Sequence, residues 1–404
     1  MRGGWHGECD NFRKLHGVKI TMTYEFKPRW FDRDVEEFNE TVERFLDSEM
    51  VPNDEQARID GHVGHDIWRK AGALGLLCTD IPTEYGGGGA DYRYEAVLHE
   101  AMGRKGLTGM SPSVHSIIAH YFLNHGTEDQ KSKYLPRLAS GSLVGAIAMT
   151  EPNAGSDLKG IKTKASFDGE HYVLNGSKTF ITNGYLAELI LVFSKVDSDS
   201  TKEQFSIFIL ETSNQPGFSV GKRLKKIGLK AQDTSELFFD NIRLTPDKVL
   251  GGEIGKGLHQ LMADLPYERL IIANMAMGAI EGAYRETVDY VSQRKAFGQP
   301  ISSMQHTRFV LADIVATLKV ARSFVDECVE KLIRHELDTE TASAAKLWLA
   351  QQQNRIVDEC VQLHGGYGFM EEYQIGRMYS DARVQRIYGG TDEIMKEIIS
   401  RKIF

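Results

Sequence analysis

The hydrophobic pattern of the chain changes twice along its length, and no other feature constrains the fold as strongly. In the first part apolar residues recur at helical spacing, as at Val35, Phe38 and Val42. Short strand-like runs with turn signals between them follow over residues 143–242. Long helical segments return after them. This order of helices, strands and helices predicts separate domains, because 404 residues are too many for a single core.

We predict an α+β multidomain protein with three units. The N-terminal unit is all-α, the central unit is a small β-barrel or sandwich, and the C-terminal unit is a four-helix bundle with antiparallel neighbours. The predicted boundaries are residues 25–145, 146–253 and 254–404. Residues 1–20 contain acidic side chains and no long apolar segment, so we expect an upstream extension or a tail and not a secretory signal.

Charge and cysteine content argue against several classes of protein. A formal net charge of −8 and a pI near 5.9 are untypical of nucleic-acid-binding surfaces. The sequence has no run of about 18 apolar residues, so no membrane span is expected. The spacing of the 4 cysteines favours neither a disulfide framework nor a metal site, and it fits a reducing compartment. Cys78 and Cys360 have apolar neighbours and are expected in the core.

A turn after a predicted buried strand is the first candidate for ligand binding. Residues 148–157 read Ala-Met-Thr-Glu-Pro-Asn-Ala-Gly-Ser-Asp. Glycine and short hydroxyl side chains leave backbone N–H groups accessible to a planar ring or a phosphate. Taken alone, such a turn is more typical of a plain surface connection. Motifs further along the chain favour the binding role.

Five motifs in this order resemble those of the acyl-CoA dehydrogenase family of flavoenzymes, over nearly all of residues 31–404. They occupy residues 148–157, 175–184, 294–298, 362–366 and 388–391. The resemblance implies the acyl-CoA dehydrogenase fold, FAD as cofactor, an acyl-CoA substrate, an electron-transfer flavoprotein as electron acceptor and a homo-oligomer, expected to be a tetramer. It also implies a role in fatty acid β-oxidation, in the cytoplasm of a bacterium or the mitochondrial matrix of a eukaryote.

The resemblance also assigns residues to parts of FAD. Thr150 and Thr182 are expected to contact the pyrimidine edge and N5 of the flavin, and Phe180, where many relatives have Trp, to lie near the ring. Arg294 and Gln305 are expected at the pyrophosphate and adenine, with some contacts from a neighbouring subunit. The predicted cofactor-binding residues are Met149, Thr150, Gly155, Ser156, Phe180, Ile181, Thr182, Arg294, Phe297, Gln305, Gln362, Leu363, His364, Gly365, Gly366, Thr391, Asp392 and Glu393.

Position 389 departs from the pattern of the family. Many relatives carry a glutamate after the tyrosine of the last motif, and this chain has Gly389 there. By resemblance to the isovaleryl-CoA and long-chain branches, the base is expected at Glu268, among apolar residues that would raise its pKa. Glu268 is predicted to abstract the α-proton while the β-hydrogen leaves as hydride to flavin N5. The predicted substrate-binding residues are Ser156, Tyr267, Arg269, Gly389 and Gly390.

The predicted substrate is a medium- to long-chain acyl-CoA, which would give a trans-2-enoyl-CoA. Ser113, Ser116 and Ala119 at helical spacing favour either a groove for the acyl tail or close packing of two helices. A branched or terpenoid substrate, such as an isovaleryl or citronellyl thioester, is an alternative. So are a flavin oxidase or monooxygenase, and a flavin-bound scaffold without activity. Glu268 argues against the scaffold.

Overall fold

The computed structural model describes residues 26–197 and 204–403 of the chain. The predicted N-terminal extension at residues 1–20 lies outside the described residues. The same holds for residues 25 and 404, which were the predicted outer ends of the first and third domains. The described part contains helices, then strands, then helices, in the predicted order.

The N-terminal unit is helical, and several of its helices begin at capping residues. Asp32 accepts a hydrogen bond from the Val35 N–H at the start of the first helix, and Thr127 and Gln130 form a capping box at the start of the sixth. The apolar spacing from Val35 onward predicts a helix as far as Met50, but the segment is α-helical only to Phe45 and continues as a π-helical turn. The helices are α1 (Arg33–Phe45), α2 (Asp54–Asp60), α3 (His65–Ala73), α4 (Tyr92–Lys105), α5 (Pro112–His125) and α6 (Glu128–Ala139).

The central unit is one seven-stranded mixed sheet. Its order is β1-β4-β2-β3-β7-β6, and β5 also pairs with β4. β1 and β2 pair with β4 in parallel, whereas the other pairs are antiparallel. β2 and β6 were not predicted, because few of their residues are buried and their apolar pattern is weak. The strands are β1 (Gly145–Ala148), β2 (Lys164–Phe167), β3 (Tyr172–Thr182), β4 (Leu189–Val196), β5 (Gln204–Glu211), β6 (Phe218–Arg223) and β7 (Thr234–Leu244).

Strand β4 joins the helical and β units, because both of its faces are buried. Leu189 and Leu191 belong to a core cluster with residues of α5 and α6, whereas Ile190 and Val192 belong to the core of the sheet. A strand buried on both faces has a continuous apolar sequence and not an alternating one. This packing fixes the position of the turn after β1 relative to α5.

The C-terminal unit has three long helices and two helices of 9 residues, where four long helices were predicted. The run of apolar and small residues after Ile271 predicts a helix that starts there, and this start is wrong, because the first of these helices begins at Gly257 and continues through Pro266. The elements are α7 (Gly257–Gln293), a small hairpin of β8 (Lys295–Ala296) and β9 (Gln299–Pro300), α8 (Gln305–Ile333), α9 (Thr339–His364), α10 (Gln374–Ala382) and α11 (Asp392–Ser400).

Helix α7 is central to the molecule and packs closely against α4. A Cβ added at Gly278 or Gly282 would lie 2.1 Å from the Glu100 carbonyl oxygen or 2.0 Å from that of Arg104, respectively. The two backbones therefore touch at these glycines, as the small residues of this segment predicted.

Two further observations bear on the class of protein. Cys78 and Cys360 are buried free thiols, so their predicted place in the core is confirmed. Over the ranges 26–197 and 204–403, no helix is both long and apolar enough to cross a bilayer.

Candidate functional site

Glu268 is a buried carboxyl in the first third of α7, with 7% of its surface exposed. Tyr121 of α5 donates a hydrogen bond from its hydroxyl to Glu268 Oε1 over 3.0 Å. Burial is the main reason that the pKa of Glu268 rises from 4.5 to about 7; the Tyr121 hydrogen bond lowers it, and the charge of Asp264 raises it. A carboxyl with a pKa near neutrality in a buried position is well suited to act as a general base.

The backbone of Gly389 lies against the same face of α7. Its φ is +59°, and a Cβ at this position would lie 2.3 Å from Ile272 Cδ1. Ile272 is one helical turn after Glu268, so the two residues share a face. The left-handed backbone and the lack of space both disfavour a side chain at position 389, which accounts for the glycine there.

The turn formed by Gly389 and Gly390 is held by a buried lysine. Lys346 of α9 is fully buried and donates from Nζ to the Gly390 carbonyl oxygen over 2.6 Å. Burial lowers the pKa of Lys346 to about 8, although the nearby Asp392 opposes this effect. Lys346 was not predicted, since a lone lysine in a helical pattern is normally solvent-exposed.

The two neighbours of Glu268 point to other helices or loops. Arg269 Nη1 donates to Ser343 Oγ of α9 over 3.0 Å, and the Tyr267 hydroxyl donates to Asp80 Oδ2 over 3.2 Å. The Tyr267 ring also lies 3.8 Å from the ring of His120, centroid to centroid. Both side chains are buried and are hydrogen-bonded to other parts of the protein. Their contacts with the substrate remain a prediction.

Buried polar contacts fix the predicted flavin-binding turn to β3. Lys178 Nζ donates to the Met149 carbonyl oxygen over 2.8 Å and to Glu151 Oε1 over 2.9 Å. The Thr179 N–H donates to the Thr150 carbonyl oxygen over 2.9 Å. Burial lowers the pKa of Lys178 to about 8, against the effect of Glu151. Met149 and Thr150 are therefore rigidly placed, by a lysine that the sequence did not single out.

An irregularity in β3 turns an aromatic ring outward beside this turn. Phe180 has a φ of +60° and is 66% exposed, at a register shift between β3 and β7. The next residue, Ile181, is buried, and Thr182 is half-buried. Gly155 and Ser156 are exposed, and a Cβ at Gly155 would have no atom within 4 Å. The β domain thus presents a ring face, hydroxyl groups and open backbone together.

A second group of predicted residues lines a cleft of about 560 Å³ in the bundle. Arg294 is exposed there, with its guanidinium carbon 5.7 Å from the centroid of the Tyr367 ring. His364 stacks on Tyr290 at 4.2 Å, and its buried Nε2 has no hydrogen-bond partner within the described part of the chain. The lining residues are Tyr290, Arg294, Ile301, Gln362, Leu363, His364, Gly365, Gly366, Tyr367 and Met370.

The prediction missed four of these lining residues: Tyr290, Ile301, Tyr367 and Met370. Tyr367 follows directly after Gly366, so the end of that motif was the available signal. The local sequence around the other three, Tyr290, Ile301 and Met370, contains no signal for a binding role.

The remaining predicted cofactor residues do not line the cleft. Phe297 is 96% exposed at the tip of the β8–β9 hairpin with a φ of +53°, and Gln305 is exposed at the start of α8. A threonine before two acidic residues, as at Thr391, predicts a helix N-cap, and Thr391 does accept a hydrogen bond from the Ile394 N–H over 3.3 Å at the start of α11. Asp392 is buried and accepts from Arg386 over 2.8 Å, whereas Glu393 is exposed.

The residues of both groups fit the parts of FAD that the sequence assigned to them. An outward aromatic ring beside threonine hydroxyls suits a planar ring system with a polar edge. An exposed guanidinium beside Gly365 and Gly366, where a Cβ would have no atom within 4 Å, suits a diphosphate. Within the described ranges, only the bundle contributes to the cleft around Arg294. Thirteen of the predicted cofactor-binding residues therefore fall into two groups, seven on the β domain and six in the cleft of the bundle, whereas the other five lie on the bundle outside the cleft.

The whole chain is similar to known proteins of one family. Sequence models match residues 32–142 (acyl-CoA dehydrogenase, N-terminal domain), 146–242 (middle domain) and 255–404 (C-terminal domain). The mitochondrial long-chain specific acyl-CoA dehydrogenase of Rattus norvegicus is 44% identical, over 93% of this chain and 87% of its own length. The mitochondrial isovaleryl-CoA dehydrogenase of Oryza sativa subsp. japonica is 36% identical, over 93% and 92%.

A solved structure extends the likeness to the fold. The acyl-CoA dehydrogenase from Geobacillus kaustophilus superposes with a TM-score of 0.90 at 40% identity, over 93% of this chain and 100% of that chain. The predicted family, fold class and cofactor are thereby confirmed. The chain belongs to the acyl-CoA dehydrogenase family, whose members are FAD-dependent oxidoreductases.

Proposed function

We propose that the protein converts a medium- to long-chain acyl-CoA to the trans-2-enoyl-CoA, with Glu268 as the general base. One observation carries this proposal. Glu268 is buried, its pKa is about 7, and it shares a face of α7 with Ile272, the residue that packs against Gly389. The base and the backbone of Gly389 thus lie on one side of the same helix.

The base must be ionised to take the α-proton of the thioester. Because burial raises the pKa of Glu268 to about 7, about half of the molecules carry the carboxylate at neutral pH. The raised pKa also makes that carboxylate a stronger proton acceptor than an exposed one. The rate of proton abstraction is therefore expected to rise with pH through about 7.

The thioester oxygen needs a donor, because negative charge builds on it as the proton leaves. We assign this role to the Gly389 N–H. The Lys346 contact with the next carbonyl holds this peptide turn in place before substrate binds. FAD, when bound, supplies the acceptor for the β-hydrogen and its electron pair. Phe180 and Thr182 orient the flavin ring.

The length of the acyl chain is proposed from the comparisons. Identity to the long-chain specific relative is 44%, against 36% to the isovaleryl relative, which favours a long straight tail. The small residues of α5 give little support for a long acyl chain, because the Ser116 hydroxyl donates a hydrogen bond to the buried Glu95 Oε2 over 2.8 Å. That contact favours the packing role of Ser116 over a role in a groove.

The decisive experiment is anaerobic reduction of the bound flavin by acyl-CoAs of four to eighteen carbons, with isovaleryl and citronellyl thioesters included. The wild-type protein is expected to bleach fastest with medium and long straight chains and to reoxidise slowly in air. Glu268→Gln is expected to retain FAD and bind acyl-CoA but to bleach at least about 100-fold more slowly. A Glu268→Gln protein that bleaches at the wild-type rate would refute the assignment of the base.

The assembly and its partners are proposed from the same site. Because the predicted FAD contacts fall on two domains, we propose a homo-oligomer, with a tetramer as the expected form, in which the Arg294 cleft serves the FAD of a neighbouring subunit. An electron-transfer flavoprotein is the proposed electron acceptor. The proposed location is the mitochondrial matrix for a eukaryotic source and the cytoplasm for a bacterial one.

A further inference from the structure

Helices α5 and α7 are joined by two polar contacts one helical turn apart. The first joins Tyr121 to Glu268 over 3.0 Å. In the second, Asp264 accepts from Asn124 Nδ2 over 2.6 Å and pairs with His125 Nε2 over 2.8 Å. His125 is four residues after Tyr121, and Asp264 is four residues before Glu268. The second contact thus lies one turn later along α5 and one turn earlier along α7. Together the two contacts fix the distance between these antiparallel helices and their alignment along the helix axis.

The first contact occupies only one oxygen of the Glu268 carboxyl. Tyr121 is fully buried and donates to Oε1. Among the residues that the structure describes, no donor is hydrogen-bonded to Oε2. One oxygen is therefore held in place and the other is left to receive a proton.

The charged groups around this carboxyl act in opposite directions. The Tyr121 hydrogen bond and the Arg269 charge favour the ionised form of Glu268, whereas the Asp264 charge disfavours it. Further charged or titratable groups near this part of α7 are the Asp80–His120 pair and Tyr92 beside Tyr267, Glu95 of α4, His125 and Lys346.

We propose that Tyr121 is the positioning residue of the base: its hydroxyl holds the Glu268 carboxyl through Oε1, while the Asp264 charge acts on the same carboxyl in the opposite sense. This inference rests on the proposed function, because it takes Glu268 to be the base.

The test compares the pH dependence of flavin reduction in three holoenzyme variants. Tyr121→Phe removes the donor and is expected to move the acidic limb of the profile up by about one pH unit, which makes reduction about fivefold slower at pH 7. Asp264→Asn removes a negative charge and is expected to move the limb in the opposite direction, by about one pH unit. Tyr134→Phe is the matched control, since this tyrosine belongs to the same core cluster as Tyr121 but its part-buried hydroxyl donates to Glu211 over 2.9 Å and not to Glu268.

A second measurement does not depend on turnover. The carboxylic acid band of Glu268, identified in the infrared spectrum by its loss in Glu268→Gln, is expected to titrate at a higher pH in Tyr121→Phe and at a lower pH in Asp264→Asn. Shifts of opposite sign support the proposal, because general loosening of the helices would not produce them.

The failures of the two proposals are distinguishable. If Glu268→Gln is inactive but the profiles of Tyr121→Phe and Tyr134→Phe coincide with the wild type, the role of Tyr121 is refuted and the base assignment stands. Equal slowing of Tyr121→Phe at every pH, with an unmoved limb, also refutes the role. If Glu268→Gln bleaches at the wild-type rate, the proposed function fails first and the role of Tyr121 fails with it.

Discussion

At the scale of single residues, the burial that makes Glu268 a base also destabilises the fold. The pKa of the side chain is 4.5 in an open chain and about 7 in the fold, mainly because of burial. Below pH 4.5 the group is protonated in both states and has no effect. Above pH 7 it is ionised in both states, and the folded state is then less stable by about 3 kcal/mol. Stability from this group is therefore lost as pH rises from 4.5 to 7.

Glu268→Gln is consequently expected to be more stable than the wild type at alkaline pH. The difference in melting temperature should be small at pH 4.5 and should grow through pH 7, since the neutral amide does not ionise. Thermal unfolding of both proteins over this range is the measurement. Glu253→Gln, at a side chain that is 72% exposed, is the control and should show no such trend. A pH-independent difference for Glu268→Gln would contradict the raised pKa.

At the scale of elements, the turn after β1 is shaped by β3 and not by its own sequence alone. Lys178 and Glu151 are almost completely buried and form an ion pair over 2.9 Å. The Glu151 carboxylate also accepts hydrogen bonds from the N–H groups of Lys162 and Thr163. A buried pair of this kind orders the backbone around it, and removal of one member leaves a charge unpaired.

Lys178→Met is expected to lose FAD and to be destabilised by about 3 kcal/mol, because Glu151 then remains buried without its partner. The double variant Glu151→Gln/Lys178→Met should regain part of that stability, since no buried charge is left. Thermal unfolding and the flavin absorbance of the purified proteins measure the two effects. Lys133→Met, at a half-exposed lysine that pairs with Glu211, is the control and should retain FAD. Full FAD content in Lys178→Met would refute the role of the pair.

At the scale of the whole molecule, sequence patterns predicted the features that depend on neighbouring residues and missed the contacts between residues far apart in the chain. The order of domains, the apolar setting of Glu268 and the cap at Thr391 each depend on neighbouring residues, and they could be predicted. The Tyr121–Glu268 contact joins residues 147 positions apart. Buried polar residues such as Tyr121 and Lys178 gain their partners only through packing, which leaves no periodic signal in the sequence.

Mixed oligomers test whether the proposed FAD sites are shared between subunits. Arg294→Ala and Lys178→Met subunits, each expected to bind FAD poorly alone, should regain FAD when co-expressed and co-purified. Each mixed pair of subunits would contain one intact site, formed by the β domain of one subunit and the Arg294 cleft of the other. Flavin absorbance per subunit measures the recovery, with about half of the sites filled in such pairs. No recovery in a verified mixed oligomer would contradict shared sites.

The contact between Gly389 and Ile272 has a consequence for how the family can vary. A carboxylate introduced at position 389 of this chain would sit on a left-handed backbone and would displace the Ile272 methyl group, so that substitution alone is expected to strain the turn. Exchange between the two arrangements would therefore involve movement of the Ile272 side chain, strain at position 389 and the removal of Glu268. Intermediates would carry two competing acids or none, so lineages are expected to keep whichever arrangement they inherit.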